Sequence, residues 1–482
     1  MFILMVVIFI LGYTAIALEH PIKVDKAASA LLTGTILWGL YALHSTGILG
    51  LDLSPAWQAV KDMSHDVVTF IYPAIDHARF DRLWEGSSEL SNHISHFVVQ
   101  DLEHHLVEIA SILFFLLGAM TIVETVDQHQ GFKIITDRIK TTSKVKLLWI
   151  LSFLTFFMSA TLDNLTTTIV MVALLRKLID DKKTRWFFAS MVVLAANAGG
   201  AWSPIGDVTT IMLWIGGQVT TANIIMYVFL PSMATMIVPL LIVTFTVKGN
   251  VQRPMLDNGE TSVFTTAFER KLLLIMGISA LLFVPVFKTV THLPPYMGML
   301  FGLGVIWVTT EILHRNKPLE DKRKLTVISI LKKVDIPTIF FFLGILTAVA
   351  ALQSMGHLDV LARYLDENLH DIFAINIIIG LLSAIVDNVP LVAGAMGMYP
   401  LADAGAVGYL SDFVVDGQFW QFLAYCAGTG GSILIIGSAA GVAAMGLEKI
   451  DFIWYMKKIS ILALIGYIAG AAVYYFQMQI LA

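Results

Sequence analysis

The chain has 482 residues, of which 57% are hydrophobic and only 14% charged, with a mean hydropathy of +0.77. A soluble domain carries about 25% charged residues, so a soluble globular protein is excluded and an all-α polytopic membrane protein is expected. The net charge of −5 offers no nucleic-acid surface, and Cys426, the only cysteine, excludes intrachain disulfides and cysteine-based zinc or iron–sulfur sites.

Apolar segments recur at 1–18, 27–43, 104–123, 145–178, 186–217, 221–247, 271–290, 296–313, 335–356, 371–399, 418–447 and 451–481. The first lacks a basic n-region and a small-residue cleavage site, so it reads as a retained helix rather than a signal peptide. A spanning helix needs about 20 residues, and most segments fit one crossing. Two long segments have a polar Asp-Asn centre: 145–178 holds Asp163-Asn164, and 371–399 holds Asp387-Asn388. An ionisable group at the bilayer centre costs about 2.5–3.5 kcal/mol on insertion scales.

Flanking charge sets the topology. Both flanks of 145–178 are basic (Lys133, Arg138, Lys140, Lys144 and Lys146 before it; Arg176, Lys177, Lys182, Lys183 and Arg185 after it). By the positive-inside rule both ends are cytoplasmic, so the segment enters and returns. Around 371–399 the flanks hold Arg363 alone among basic residues, with Asp403, Asp412 and Asp416 following, so that segment enters from outside. The 44–103 region, rich in Asp, Glu and His, is expected to be an external loop. The 248–270 linker and the basic 314–333 loop are expected in the cytoplasm, and both termini outside. Ten crossings and two re-entrant hairpins result.

A weak internal repeat matches this pattern. "FFLLGAMT" (114–121) pairs with "FFFLGILT" (340–347), "SATLDNLT" (159–166) with "SAIVDNVP" (383–390), and "NAGGAWSPIGDV" (197–208) with "GTGGSILIIGSA" (428–439). The halves, 1–247 and 271–482, each contain five crossings and one hairpin. Five is odd, so the halves are inverted in the membrane. Inverted repeats whose discontinuous helices meet near the midplane mark secondary transporters rather than enzymes.

Four elements converge in this reading: the hairpin tips in 145–178 and 371–399, and Gly-rich interruptions in the broken helices 186–217 and 418–447. They carry Asp163, Asn164, Thr166, Thr167, Asn197, Ser203, Asp207, Thr209, Asp387, Asn388, Thr429, Ser432 and Ser438, and no Lys or Arg. Hard cations take oxygen ligands, so this set suits sodium, held above all by Asp163, Asn164, Asp387 and Asn388. An anionic substrate would meet carboxylates and no cation. Asp and Asn are also preferred N-caps, so capping alone is the competing account of the tips. Asp207 could brace the break, and Asn197 could cap the inner half-helix. His65, His77, His93, His96, His104 and His105 cluster in or near the external region without the spacing of a zinc site. Glu108 lies one turn beyond His104, and that pair is a candidate for proton entry or pH sensing.

On "SATLDNLTTTIVMVALLRKL" and "SAIVDNVPLVAGAMGMY", supported by "NAGGAWSPIGDVTT" and "GTGGSILIIGSAAG", the chain resembles the NhaD sodium/proton antiporters of the ion transporter superfamily. The resemblance runs from about residue 100 to the C-terminus. It implies a bacterial inner-membrane exchanger of sodium or lithium for protons, serving pH homeostasis. It also implies an elevator-type fold, a homodimer embedded in lipid, and no cofactor. The residues add a mechanism: a carboxylate stripped of water holds a proton more tightly, so sodium and a proton can compete for Asp163 and Asp387. Transport of arsenite or a carboxylate within the same superfamily is the alternative. An intramembrane aspartyl protease is a weaker one, since "SPIGD" at 203–207 is the nearest approach to its motif and the repeat has no role in it.

Overall fold

A computed structural model describes residues 1–17, 19–60, 89–136, 139–254, 265–315, 317–318, 322, 325–369, 371–385 and 387–481. Outside these lie 61–88 of the external region, with His65 and His77, and 255–264 of the linker. Arg138, Arg323 and Lys324 of the basic loops also fall outside. Among the described residues the regular structure is helical, apart from one isolated bridge between Ser143 and Asn250. Helix is the form in which an apolar segment satisfies its own backbone polar groups away from water.

In chain order the first half gives α1 (Phe2–Ala17), α2 (Lys26–Leu49), α3 (Glu89–Gln128), α4 (Lys144–Leu162), α5 (Asn164–Leu178), α6 (Lys182–Ala201), α7 (Val208–Ile215) and α8 (Thr221–Thr246). The second gives α9 (Ala267–Thr291), α10 (Pro295–Leu313), α11 (Ile336–Ser354), α12 (His357–Asn368), α13 (Ile372–Leu382) and α14 (Asn388–Met398). It ends with α15 (Gln418–Gly430), α16 (Ala439–Glu448), α17 (Phe452–Lys458) and α18 (Ser460–Leu481). Eight of these helices are long and apolar enough to cross a membrane: α2, α3, α4, α8, α9, α10, α11 and α18. The expected count of ten crossings differs because α1 is short and because 186–217 and 418–447 are each divided into two helices. The first arm of the 145–178 segment, α4, is long enough to cross by itself.

The helices fall into two compact units. One comprises Met1–Leu113, Ile336–Asp371 and Ala393–Pro400. Within it α2 lies along α11, and their backbones approach closely at Gly344, where a Cβ would stand 2.4 Å from the Leu31 nitrogen. Trp38 Nε1 donates to the Thr347 carbonyl at 2.9 Å across the same seam. Small residues at such seams are how helices pack where lipid gives no hydrophobic drive.

The other unit comprises Phe114–Asp335, Ile372–Val392 and Leu401–Ala482. Here α4 packs on α6, α5 on α6 and α16, α13 on α15, and α8 on α18. The two ends of 145–178 meet one segment: the Lys144 nitrogen donates to the Gly249 carbonyl at 3.0 Å, and the Asp180 nitrogen to the Gln252 carbonyl at 2.9 Å. The chain therefore turns back at Asp163, and its two arms pack on each other. Pro231 and Pro239 lie inside α8 without dividing it.

Candidate functional site

The turn between α4 and α5 is a single residue. Asp163 has φ +69°, a backbone region that side chains other than glycine rarely enter but that Asp and Asn tolerate. Its carboxylate faces its own helix start: Oδ1 accepts from the Thr166 nitrogen at 2.7 Å and Oδ2 from Thr166 Oγ1 at 2.8 Å. Asp387 likewise accepts from the Val389 nitrogen at 3.1 Å. Each tip aspartate thus caps its second arm, as the capping account expects. The asparagines that follow them do not cap. Asn164 and Asn388 are buried and both donate to Asp207, Asn164 Nδ2 to Oδ2 and Asn388 Nδ2 to Oδ1, the latter at 3.5 Å.

Asp207 sits at the break between α6 and α7. It caps α7, with Oδ1 accepting from the Thr209 nitrogen at 2.9 Å and Thr209 Oγ1 at 2.6 Å. It is 1% exposed, and no ion pair to it, to Asp163 or to Asp387 is present among the described residues. Asn197, buried in α6, extends the network. Its Oδ1 accepts from Asn164 at 3.1 Å, and its Nδ2 donates to Ser432 Oγ at 2.9 Å and Ser438 Oγ at 2.8 Å. Ser438 caps α16 by accepting from the Gly441 nitrogen at 3.1 Å. Both tips and both breaks therefore meet in one continuous polar cluster of amides, hydroxyls and one buried carboxylate.

The same contacts recur in the two halves. Ser159 Oγ donates to the Ala196 carbonyl at 2.6 Å, and Ser383 Oγ to the Ala427 carbonyl at 3.0 Å. A Cβ on Gly199 would stand 2.1 Å from the Phe156 carbonyl oxygen, and one on Gly430 would stand 2.0 Å from that of Gly380. Only glycine lets each broken helix lie this close to the first arm of its tip. Ser159 and Ser383 are absent from the site residues read from the sequence, although each opens the repeated string that ends in Asp-Asn. They tie the tip to the break in each half.

The other expected residues have local duties. Thr166 serves Asp163, Ser203 Oγ donates to the Ala160 carbonyl at 2.5 Å, and Thr429 Oγ1 donates to the Tyr425 carbonyl at 2.6 Å. Thr167 and Thr168 lie on the buried face of α5 that also carries Asn164, and neither hydroxyl has a partner among the described residues. His104 and Glu108 belong to the unit that contains α2 and α11. They lie 3.6 Å apart with both side chains more than half exposed. His105, one residue on and largely buried, stands 3.7 Å from Asp101 and 3.6 Å from Glu108, a placement that one-turn spacing from His104 does not reveal.

Comparison with known proteins is consistent across the chain. A family model described as citrate transporter matches residues 6–415. "Sodium/proton antiporter 2" of Arabidopsis thaliana is 41% identical over 475 residues, 98% of each chain. "Sodium/proton antiporter 1" of the same plant is 50% identical over 378 residues, 78% of this chain; the chain spans 63% of that protein's length. "Na(+)/H(+) antiporter NhaD" of Alkalimonas amylolytica is 31% identical over 397 residues, 77% of this chain and 78% of that one. By this family match and these relatives, the chain belongs to the citrate-transporter family and, within it, to the transporters of the NhaD sodium/proton antiporter type.

Proposed function

We propose that the protein exchanges sodium, or lithium, for protons, and that the cluster around Asp207 is where the two ions compete. The observation that carries this reading is the convergence of both tip asparagines on one buried carboxylate that has no cationic partner among the described residues. A carboxylate so placed is neutralised either by a proton or by a small cation. Amide groups suit both states. As arranged here, Asn164 and Asn388 donate to Asp207; a half-turn about the last side-chain bond would present their oxygens instead, as a hard cation requires. The hydroxyls of Thr209, Ser432 and Ser438 and the half-buried carboxylates of Asp163 and Asp387 would complete the coordination.

The wider reading keeps two inverted repeats, two re-entrant tips and elevator-like movement of the site between membrane faces. It also keeps a homodimer and a bacterial inner membrane, with pH homeostasis as the role. Its support is the recurrence of the serine and glycine contacts at a near-constant spacing, together with relatives named as antiporters in bacteria as well as plants. Citrate, the substrate in the matched family's description, would bring negative charge to a cluster that already holds carboxylates.

The test is sodium-driven proton movement in proteoliposomes containing the purified protein and a pH-sensitive dye. Sodium pulses should move protons in the opposite direction, lithium should substitute, and citrate should have no effect. A folded, reconstituted protein that moves no protons on sodium addition would defeat the reading.

A further inference from the structure

Glu448 lies at the end of α16, far along the chain from either tip aspartate, and its side chain is 2% exposed. It is gripped from two other helices. Arg176, near the end of α5, donates through Nε to Oε1 at 2.6 Å, and Arg185, near the start of α6, donates through Nε to Oε2 at 3.1 Å. The backbone joins in. Trp186 Nε1 donates to the Glu448 carbonyl at 2.9 Å, Arg176 Nη2 to the Leu447 carbonyl, and Arg185 Nη1 to the Ile179 and Asp180 carbonyls at 3.0 and 2.6 Å. The last carbonyls of α16 and those just past α5 would otherwise lack donors, and the cationic groups also suit the negative end of a helix dipole.

The same three helices deliver the polar cluster at their other ends. α5 runs from Asn164 to Arg176, twelve residues or about 18 Å at 1.5 Å per residue. α6 runs from Trp186 to Asn197, eleven residues or about 17 Å. α16 with its cap runs from Ser438 to Glu448, ten residues or about 15 Å. Each helix packs on the other two. Three legs of nearly equal length are thus joined at both ends, at Asn164–Asn197–Ser438 and at Arg176–Arg185–Glu448. A helix is stiff along its axis, so a tie at one end fixes height and rotation at the other.

We propose that Glu448 is a positioning residue for the ion site, holding the three helices in the register that brings Asn164, Asn197 and Ser438 together. This rests on the reading of that cluster as the ion site. A carboxylate is suited to the task because one residue must accept from two guanidinium groups at once, one on each of its two oxygens.

The experiment measures sodium-dependent thermal stabilisation of the purified protein, giving the half-saturating sodium concentration, alongside the maximal exchange rate in proteoliposomes. Glu448→Gln keeps the shape and removes the charge. It should raise the half-saturating concentration about tenfold, the low end for loss of a support behind ion ligands, with the maximal rate little changed. Arg176→Gln, at a half-exposed position, should shift it in the same direction and serves if Glu448→Gln does not fold. Asp181→Ala, which removes the exposed N-cap of α6, should lower thermal stability without moving the sodium dependence. Folded Glu448→Gln or Arg176→Gln protein with the parent's half-saturation overturns the positioning role. So does a fall in maximal rate alone, which would make the clamp a gate. A parent chain that sodium does not stabilise overturns the ion reading itself, and the positioning role with it.

Discussion

Asp207→Asn separates a charge role from a shape role at the centre of the cluster. The aspartate accepts from Asn164 Nδ2, Asn388 Nδ2, the Thr209 nitrogen and Thr209 Oγ1. An asparagine can keep its oxygen toward Thr209 and Asn388, but its amide nitrogen then faces the nitrogen of Asn164. Two donors would oppose each other unless Asn164 turns over. That turn takes a donor from Asn197, which can turn in its place, because Ser432 and Ser438 hydroxyls can donate as well as accept. The network therefore has a second arrangement in which the bonds between these side chains are kept with their directions reversed. Losing the charge weakens the three close bonds and the long one by about 1 kcal/mol each, or about 3–4 kcal/mol in all. Relief from burying an unpaired carboxylate returns several kcal/mol. The net change in stability should be small, and folded protein should be recovered at parental yield. Sodium-driven proton flux should fall to the level of empty liposomes, because an amide binds no exchangeable proton near neutral pH. Near-parental flux from well-folded Asp207→Asn protein would refute the assignment of ion competition to this carboxylate.

Asp163→Asn and Asp387→Asn retain the capping geometry that both aspartates show, so each should fold normally and lose exchange; near-normal flux from both would make them caps only. Gly199→Ala and Gly430→Ala drive a Cβ into a neighbouring carbonyl oxygen, and each should sharply reduce folded protein in the membrane fraction, by more than the roughly 1–3 kcal/mol usual for overpacking. A wild-type yield for either would contradict the close approach. His129 and His314 face each other just beyond the ends of α3 and α10 with Nε2 atoms 2.7 Å apart. Burial lowers the basicity of both, His314 from 6.5 to about 4. The unfolded chain therefore binds more protons between pH 6.5 and about 4, so thermal stability should decline as pH falls through that window. His314→Gln should flatten the decline, and an unchanged pH profile in that variant would count against the pair as its source.

Hydropathy locates the helices well where a segment is uniformly apolar, as in α9, α10 and α11. It fails where polarity is mixed with helical periodicity. α3 begins at Glu89, well before the apolar 104–123 stretch, because its first turns carry His, Asp and Gln that lower the average without breaking the helix. α12 goes unnoticed for the same reason, its apolar residues being confined to one side. The separation of α17 from α18 at Ile459 has no glycine or proline to announce it. At the site, the Asp-Asn tips and Gly-rich breaks were legible as strings, since charge and glycine are conspicuous in hydrocarbon. Which member of each pair faces the centre was not, because that depends on the turn at Asp163, where the aspartate curls back to its own helix and the asparagine reaches across. The grip on Glu448 joins residues 272 and 263 positions apart, and no local pattern encodes such a pairing.

Asp207 and Ser438 occupy matching places, each capping the short helix that follows its break, yet one is a carboxylate and the other a hydroxyl. The capping contact recurs while its charge does not. At the proposed ion site a cation would be drawn toward the α7 break, where Asp207 offers a charge, more than toward the α16 break, where Ser438 offers only a dipole.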